Sequence, residues 1–122
     1  MIDVDLSEFE TLVARALDAL PQQFAELLDN VVVVVEEEPT VDDLEDVGLA
    51  PHEGLELLGL YQGVPQPERG AEYSALPDRV AIYRRSILAI CASREDVVAE
   101  VRDTVVHELG HHFGLTDEDM PY

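Results

Sequence analysis

Near the start of the chain the apolar positions Phe9, Leu12, Val13, Ala16, Leu17 and Leu20 recur every three or four residues, the interval that gathers side chains on one face of an α-helix. Ser7 followed by Glu10 has the spacing of a capping box and places the start of that helix. Pro21 lacks the N–H that a continuing helix needs, so Phe24, Leu27 and Leu28 predict a further short turn of helix, begun by the proline and ended at Asp29-Asn30. The rhythm then changes. Val31 to Val35 is an unbroken β-branched run, too short and uniform for an amphipathic helix, and it predicts a strand buried on both faces near the centre of a sheet.

Glu36 to Glu38 and Pro39 close that strand, and Thr40 caps a short helical stretch through Val41, Leu44 and Val47 that stops at Gly48. Pro51 to Gly54 reads as a loop and Leu57 to Tyr61 as a second strand, after which Pro65, Pro67 and Gly70 argue against regular structure. Val80, Ile82 and Arg84 alternate with Ala81 and Tyr83, the period of a half-buried strand, introduced by the turn Leu76-Pro77-Asp78. The last helix is the most strongly marked. Ser93 with Asp96 forms its cap pair, Val97, Val98, Val101, Val105, Leu109 and Phe113 form one apolar stripe, and Gly114 supplies the left-handed residue that ends it. It is expected to run from about Arg94 to Phe113, with a non-helical tail from Leu115 to Tyr122. There is no internal repeat, and 122 residues suffice for one core, so the expectation is a single domain, 1–122, of α+β class.

Charge narrows the range of partners. The chain carries 27 acidic against 7 basic side chains, a formal net charge of −20, which repels phosphate backbones and anionic lipid surfaces. Nucleic acid and membrane are therefore not expected partners, and the spread of the acidic residues reads as a solvated surface. One cysteine, Cys91, cannot form an internal disulfide and suits a reducing compartment. The N-terminus, with Asp3, Asp5 and Glu8, lacks the pattern of a signal peptide, and no apolar run reaches membrane-spanning length. A cytoplasmic location is expected.

On the last helix His107 and His111 stand four residues apart, about 40° from eclipsed and one turn from each other, so two imidazole nitrogens can reach one ion. Glu108 lies beside them, placed to take a proton from water without occupying a ligand position. Gly114 lets the chain reverse, so that Asp117 can return toward the open side of the histidines as an oxygen ligand. Asp117 reads alternatively as a turn residue, with water or Glu118 as the substitute ligand. Three protein ligands with one exchangeable position are the pattern of catalytic zinc, whereas structural zinc sites are closed by four side chains and rich in cysteine. Zinc so held activates water near neutral pH and polarises a carbonyl, which points to amide hydrolysis with Glu108 as the catalytic base.

The run from His107 to Asp117 matches HExxHxxGxxD, the metzincin-like signature, and the chain resembles the family of minimal, single-domain zincin-like metallopeptidases of bacteria. The resemblance extends to Leu57 through Pro65, to Leu76 through Val80 with Tyr83-Arg84-Arg85, and to Thr104-Val105-Val106-His107, and covers most of the chain from about Leu44. It implies a small mixed sheet with a long active-site helix packed beneath it, and it carries the zinc ligands over as His107, His111 and Asp117. Two departures stand out. Only five residues follow Asp117, so Met120 has little chain in which to form the methionine turn of larger metzincins, and no oxyanion-stabilising residue is evident beyond the candidates Tyr83, Arg84 and Tyr122.

Among the remaining residues, His112 reads as packing or as a hydrogen-bond support for the site, His52 as a loop residue, and Tyr61 and Tyr73 as packing or loop residues. Arg84-Arg85 reads as a basic pair that offsets nearby acids. The strand Val80 to Arg84 is the expected cleft edge for an extended peptide. The function that follows is zinc-dependent hydrolysis of a peptide or protein substrate. Its rivals are a small-amide hydrolase using the same site and a non-catalytic metal-binding module that acts by binding another protein. The sequence does not fix an oligomeric state.

Overall fold

The computed structural model describes residues 1–63 and 77–116 together with Glu118, Met120 and Pro121; the readings at Pro65, Pro67, Gly70, Tyr73, Leu76, Asp117 and Tyr122 lie outside the described residues. Helix α1 (Leu6–Asp18) buries Phe9, Leu12, Val13 and Ala16, as the spacing predicts. Its cap is not Ser7. Asp5 occupies that position, and its carboxylate accepts the Glu8 N–H at 2.8 Å, so the helix is capped ahead of the Ser7–Glu10 pair. Pro21 then caps the short α2 (Gln22–Leu27), and a single 3₁₀ turn, Leu28–Asn30, leads into β1 (Val31–Glu36).

Helix α3 (Val41–Asp46) opens with a full capping box, in which Thr40 Oγ1 accepts the Asp43 N–H and Asp43 accepts the Thr40 N–H. The segment read as a loop at Pro51 is a 3₁₀ stretch, Pro51–Glu56, whose start is fixed by Glu53 accepting the Ala50 N–H at 2.7 Å. Strands β2 (Gly59–Gln62) and β3 (Asp78–Tyr83) follow. Arg84, expected to finish the strand, instead begins the short helix α4 (Arg84–Ala89), which seats Ser86, Ile87 and Leu88 in the interior. Helix α5 (Arg94–His112) completes the chain of elements.

The described strands form one mixed sheet in the order β1-β3-β2, with β3 parallel to β1 and antiparallel to β2. This reverses the expected roles of the two valine-bearing strands. β1 lies at an edge of the described sheet, where Val31 is buried but Val32 is 44% exposed. β3 is the centre, with Val80, Ala81, Ile82 and Tyr83 wholly buried, so it cannot be the cleft edge. The physical reason is that burial depends on what covers a strand. Val80 and Ile82 face the helical core, while Tyr83 on the opposite face donates its O–H to Asp43 at 2.9 Å. Asp43 also accepts from Gln62 Nε2 at 2.9 Å, so β2, β3 and α3 meet at one satisfied buried carboxylate.

The core lies between the sheet and the helices. Phe9, Leu12 and Val13 of α1 and Phe24 of α2 pack with Val97, Val101, Val105 and Leu109 of α5 against Val80 and Ile82. Cys91 is buried in the same cluster, and burial pushes its thiol up to about 11, which keeps it in the unreactive protonated form at neutral pH. Arg84 pairs with Glu37 at 2.8 Å and Arg85 with Glu38 at 2.8 Å, which is the offsetting role read from sequence. No described helix is long and apolar enough to cross a membrane.

Candidate metal centre

The site is built on the C-terminal turns of α5. Ser93 Oγ accepts the Asp96 N–H at 3.1 Å while Asp96 accepts the Ala92 N–H at 3.0 Å, so the start of the helix is fixed at both backbone donors. At the other end Leu115 donates to the Gly110 carbonyl at 2.8 Å and Gly114 to that of His111 at 3.2 Å, with Gly114 at a φ of 88°. This pair of bonds is a Schellman-like ending, and the positive φ explains the glycine. The buried part of the apolar stripe ends one turn before Phe113, which is 49% exposed.

Between these ends, His107 and His111 face the same side, their ring centroids 5.7 Å apart and their planes at 81°. Glu108 is half-buried beside them, and one of its carboxylate oxygens accepts the backbone N–H of Tyr61 in β2 at 2.8 Å. The Tyr61 ring stacks on His112, with centroids 3.7 Å apart and planes within 11°. Its hydroxyl donates to Asp78 at 2.7 Å, and burial, then the bond to Asp78, pushes the phenol up to about 12.

Between β2 and α5 opens a cavity of about 440 Å³ that reaches His107 and Glu108. Leu57 to Gly59 form one wall, and Glu100, Asp103 and Thr104 of α5 form the other. Gly59 is required where the two walls close: a β-carbon there would meet Thr104 Cγ2 at 2.6 Å and the Ala81 carbonyl at 2.8 Å. Glu100 is held above its usual range by burial and then by the neighbouring Asp103. Sequence reasoning missed these residues, although a signal exists: Glu100, Asp103, Thr104 and His107 follow the three- and four-residue period of a single helix face. It also gave Tyr61 a packing or loop role only, because a backbone donor leaves no mark in a sequence.

Of the predicted site, the structure brings the rings of His107 and His111 together and sets Glu108 on the same cavity as His107, while Asp117 lies outside the described residues. Among the described residues no three His, Cys, Asp or Glu side chains gather closely enough to hold a metal ion. The donor chemistry present nevertheless fits zinc, with two imidazoles one helical turn apart, and the Glu108 carboxylate lines the same cavity as His107 without counting among the ligands. Tyr83 and Arg84 do not line that cavity, because Tyr83 is bound to Asp43 and Arg84 to Glu37 and the Val4 carbonyl. Met120, for which a methionine turn was not expected, is buried in the core against α5, its thioether filling the space a side chain at Gly110 would occupy.

Residues 28–122 match the zincin-like metallopeptidase family. A conserved hypothetical protein from Thermus thermophilus has a similar solved structure, with 32% sequence identity over 89% of this chain and 94% of that one and a TM-score of 0.56. No curated protein matches. The family match takes in the whole described sheet and the helix that bears both histidines and Glu108, and on that ground the chain belongs to the zincin-like metallopeptidases.

Proposed function

We propose that the protein is a zinc-dependent peptidase in which His107, His111 and Asp117 hold the metal and Glu108 is the general base. The observation that carries this reading is the placement of Glu108, which lines one cavity with His107 and is anchored to the β2 backbone. Zinc, when bound, supplies Lewis acidity, lowering the pKa of water to about 7 and polarising the scissile carbonyl. Glu108 takes the proton from the attacking water and returns it to the departing amine. One of its oxygens is held by the Tyr61 N–H, which leaves the proton transfer to the other. A substrate peptide would lie along β2, which borders the cavity, rather than along the central β3. The lone, buried thiol suits action in the cytoplasm.

A second reading has one observation in its favour. About 440 Å³ lies within the range of small-ligand pockets, which suits a small amide as well as a peptide. The test is zinc content by elemental analysis for wild type, His107→Ala and Glu108→Ala, with cleavage of a denatured protein and of short blocked amides followed in parallel. Peptidase action predicts about one zinc in wild type and Glu108→Ala, much less in His107→Ala, and protein cleavage by wild type alone. Cleavage restricted to short amides supports the second reading. Zinc binding with no hydrolysis supports a non-catalytic module, and no zinc uptake from excess metal rejects the site.

A further inference from the structure

Glu108 and His112 are four residues apart on α5, and a single residue of β2 meets both. The Tyr61 N–H bonds the Glu108 carboxylate at 2.8 Å, while the Tyr61 ring lies flat on His112 at 3.7 Å. The same ring is held at its far end by the hydroxyl bond to Asp78 of β3, and Phe113 meets its edge at 6.5 Å and 89°. Tyr61 is thus a strap between sheet and helix, fastened at the sheet by its hydroxyl and at the helix by its face. The ladder to β3 holds one edge of β2, and the Tyr61 N–H on its other edge meets Glu108 beside these two side-chain fastenings. We propose that His112 is a positioning residue for Glu108: by stacking on Tyr61 it keeps the β2 backbone where the Tyr61 N–H fixes the carboxylate.

A glutamate side chain turns about three bonds and is a poor base until one rotamer is selected. The Tyr61 N–H selects it from the strand side, and His112, from its own helix, keeps that donor in place. Imidazole basicity plays no part in this role, so another flat ring at position 112 should serve. A role in zinc ligation makes the opposite demand, since only the imidazole would do.

The inference rests on the peptidase reading for its catalytic meaning, but its structural core is testable without activity. Wild type, His112→Ala and His112→Phe are compared by the chemical shift and hydrogen exchange of the Tyr61 amide in two-dimensional NMR, with Glu108→Ala as the reference for a lost bond. Expected is an upfield shift and about tenfold or greater faster exchange of that amide in His112→Ala, with zinc content and the protection of mid-helix amides such as that of Val101 unchanged, and recovery in His112→Phe. With a cleaved peptide, kcat should fall about tenfold to a hundredfold in His112→Ala at little-changed KM, and recover in His112→Phe. An unmoved Tyr61 amide, loss of zinc, failure of Phe to restore, or an unmoved kcat beside a lost amide bond would each overturn the proposal. If wild type cleaves nothing while the amide responds as expected, the peptidase reading fails and the Tyr61–His112 strap stands.

Discussion

Gly110, the fourth residue of the HExxH stretch, is a helix-interior glycine whose missing side chain is replaced by the Met120 thioether. Alanine favours a helix by roughly 0.5–1 kcal/mol over glycine, while crowding a filled site costs about 1–3 kcal/mol. Gly110→Ala alone is therefore expected to destabilise the protein, and the same change in a Met120→Ala background to stabilise it. Urea unfolding of the four proteins reads this as a coupling energy, and additive effects would mean that the two residues do not touch. Tyr61 offers a second residue-level outcome. With its phenol pushed up to about 12, the folded chain keeps a proton that the unfolded chain loses near pH 10, so this contribution to stability is full below about pH 10 and is lost as pH rises toward about 12. Tyr61→Phe should flatten that decline between about pH 9 and about pH 11.5, leaving the share owed to Tyr83, which burial and Asp43 also raise. An unchanged slope would assign the decline elsewhere. At this scale the four-residue spacing of His107 and His111 foretold that their rings meet, whereas Tyr61 contributes a main-chain N–H to a residue 47 positions away, which no residue type signals.

Elements were legible where both ends were marked. Ser93 and Gly114 bracket α5, and the helix found is within one residue of the one expected. α1 shows how a cap can mislead: Asp5 and Ser7 are both competent residues, and the extended backbone of Asp5, with φ −70° and ψ 169°, decides between them. Asp5→Ala is expected to cost about 1 kcal/mol in stability and Ser7→Ala less than about 0.5 kcal/mol, measured by thermal unfolding. Equal losses would return the cap to Ser7. α4 was missed because it follows β3 without a loop, so that no cap residue or glycine separates the alternation of the strand from the helix. The order of the strands was missed for a different reason. A valine run reports that a segment prefers extended backbone, but its neighbours and covering helices determine whether it is central, and those lie far off in sequence.

Over the whole molecule, the net charge of −20 surrounds a cavity that itself bears Glu56, Glu100, Asp103 and Glu108. Such a field draws cations toward the site and turns anions away, and it weakens as salt shortens the Debye length to about 10 Å at 0.1 M. As salt is raised from about 20 to about 300 mM, kcat/KM should fall for a cationic peptide, rise for an acidic one and stay level for a neutral one of equal length. Parallel salt curves for all three would remove electrostatics from substrate choice. The sheet order has a consequence of another kind, in time rather than in energy. The central strand is the last of the three along the chain, so Val31 to Val35 waits without its parallel partner until Asp78 to Tyr83 has been made. An unpaired run of five valines in a growing chain is an aggregation hazard. Glu36 to Glu38 follow it directly, and like charges there keep two nascent chains from pairing along that run, so the same acids that later hold Arg84 and Arg85 first act as gatekeepers of folding.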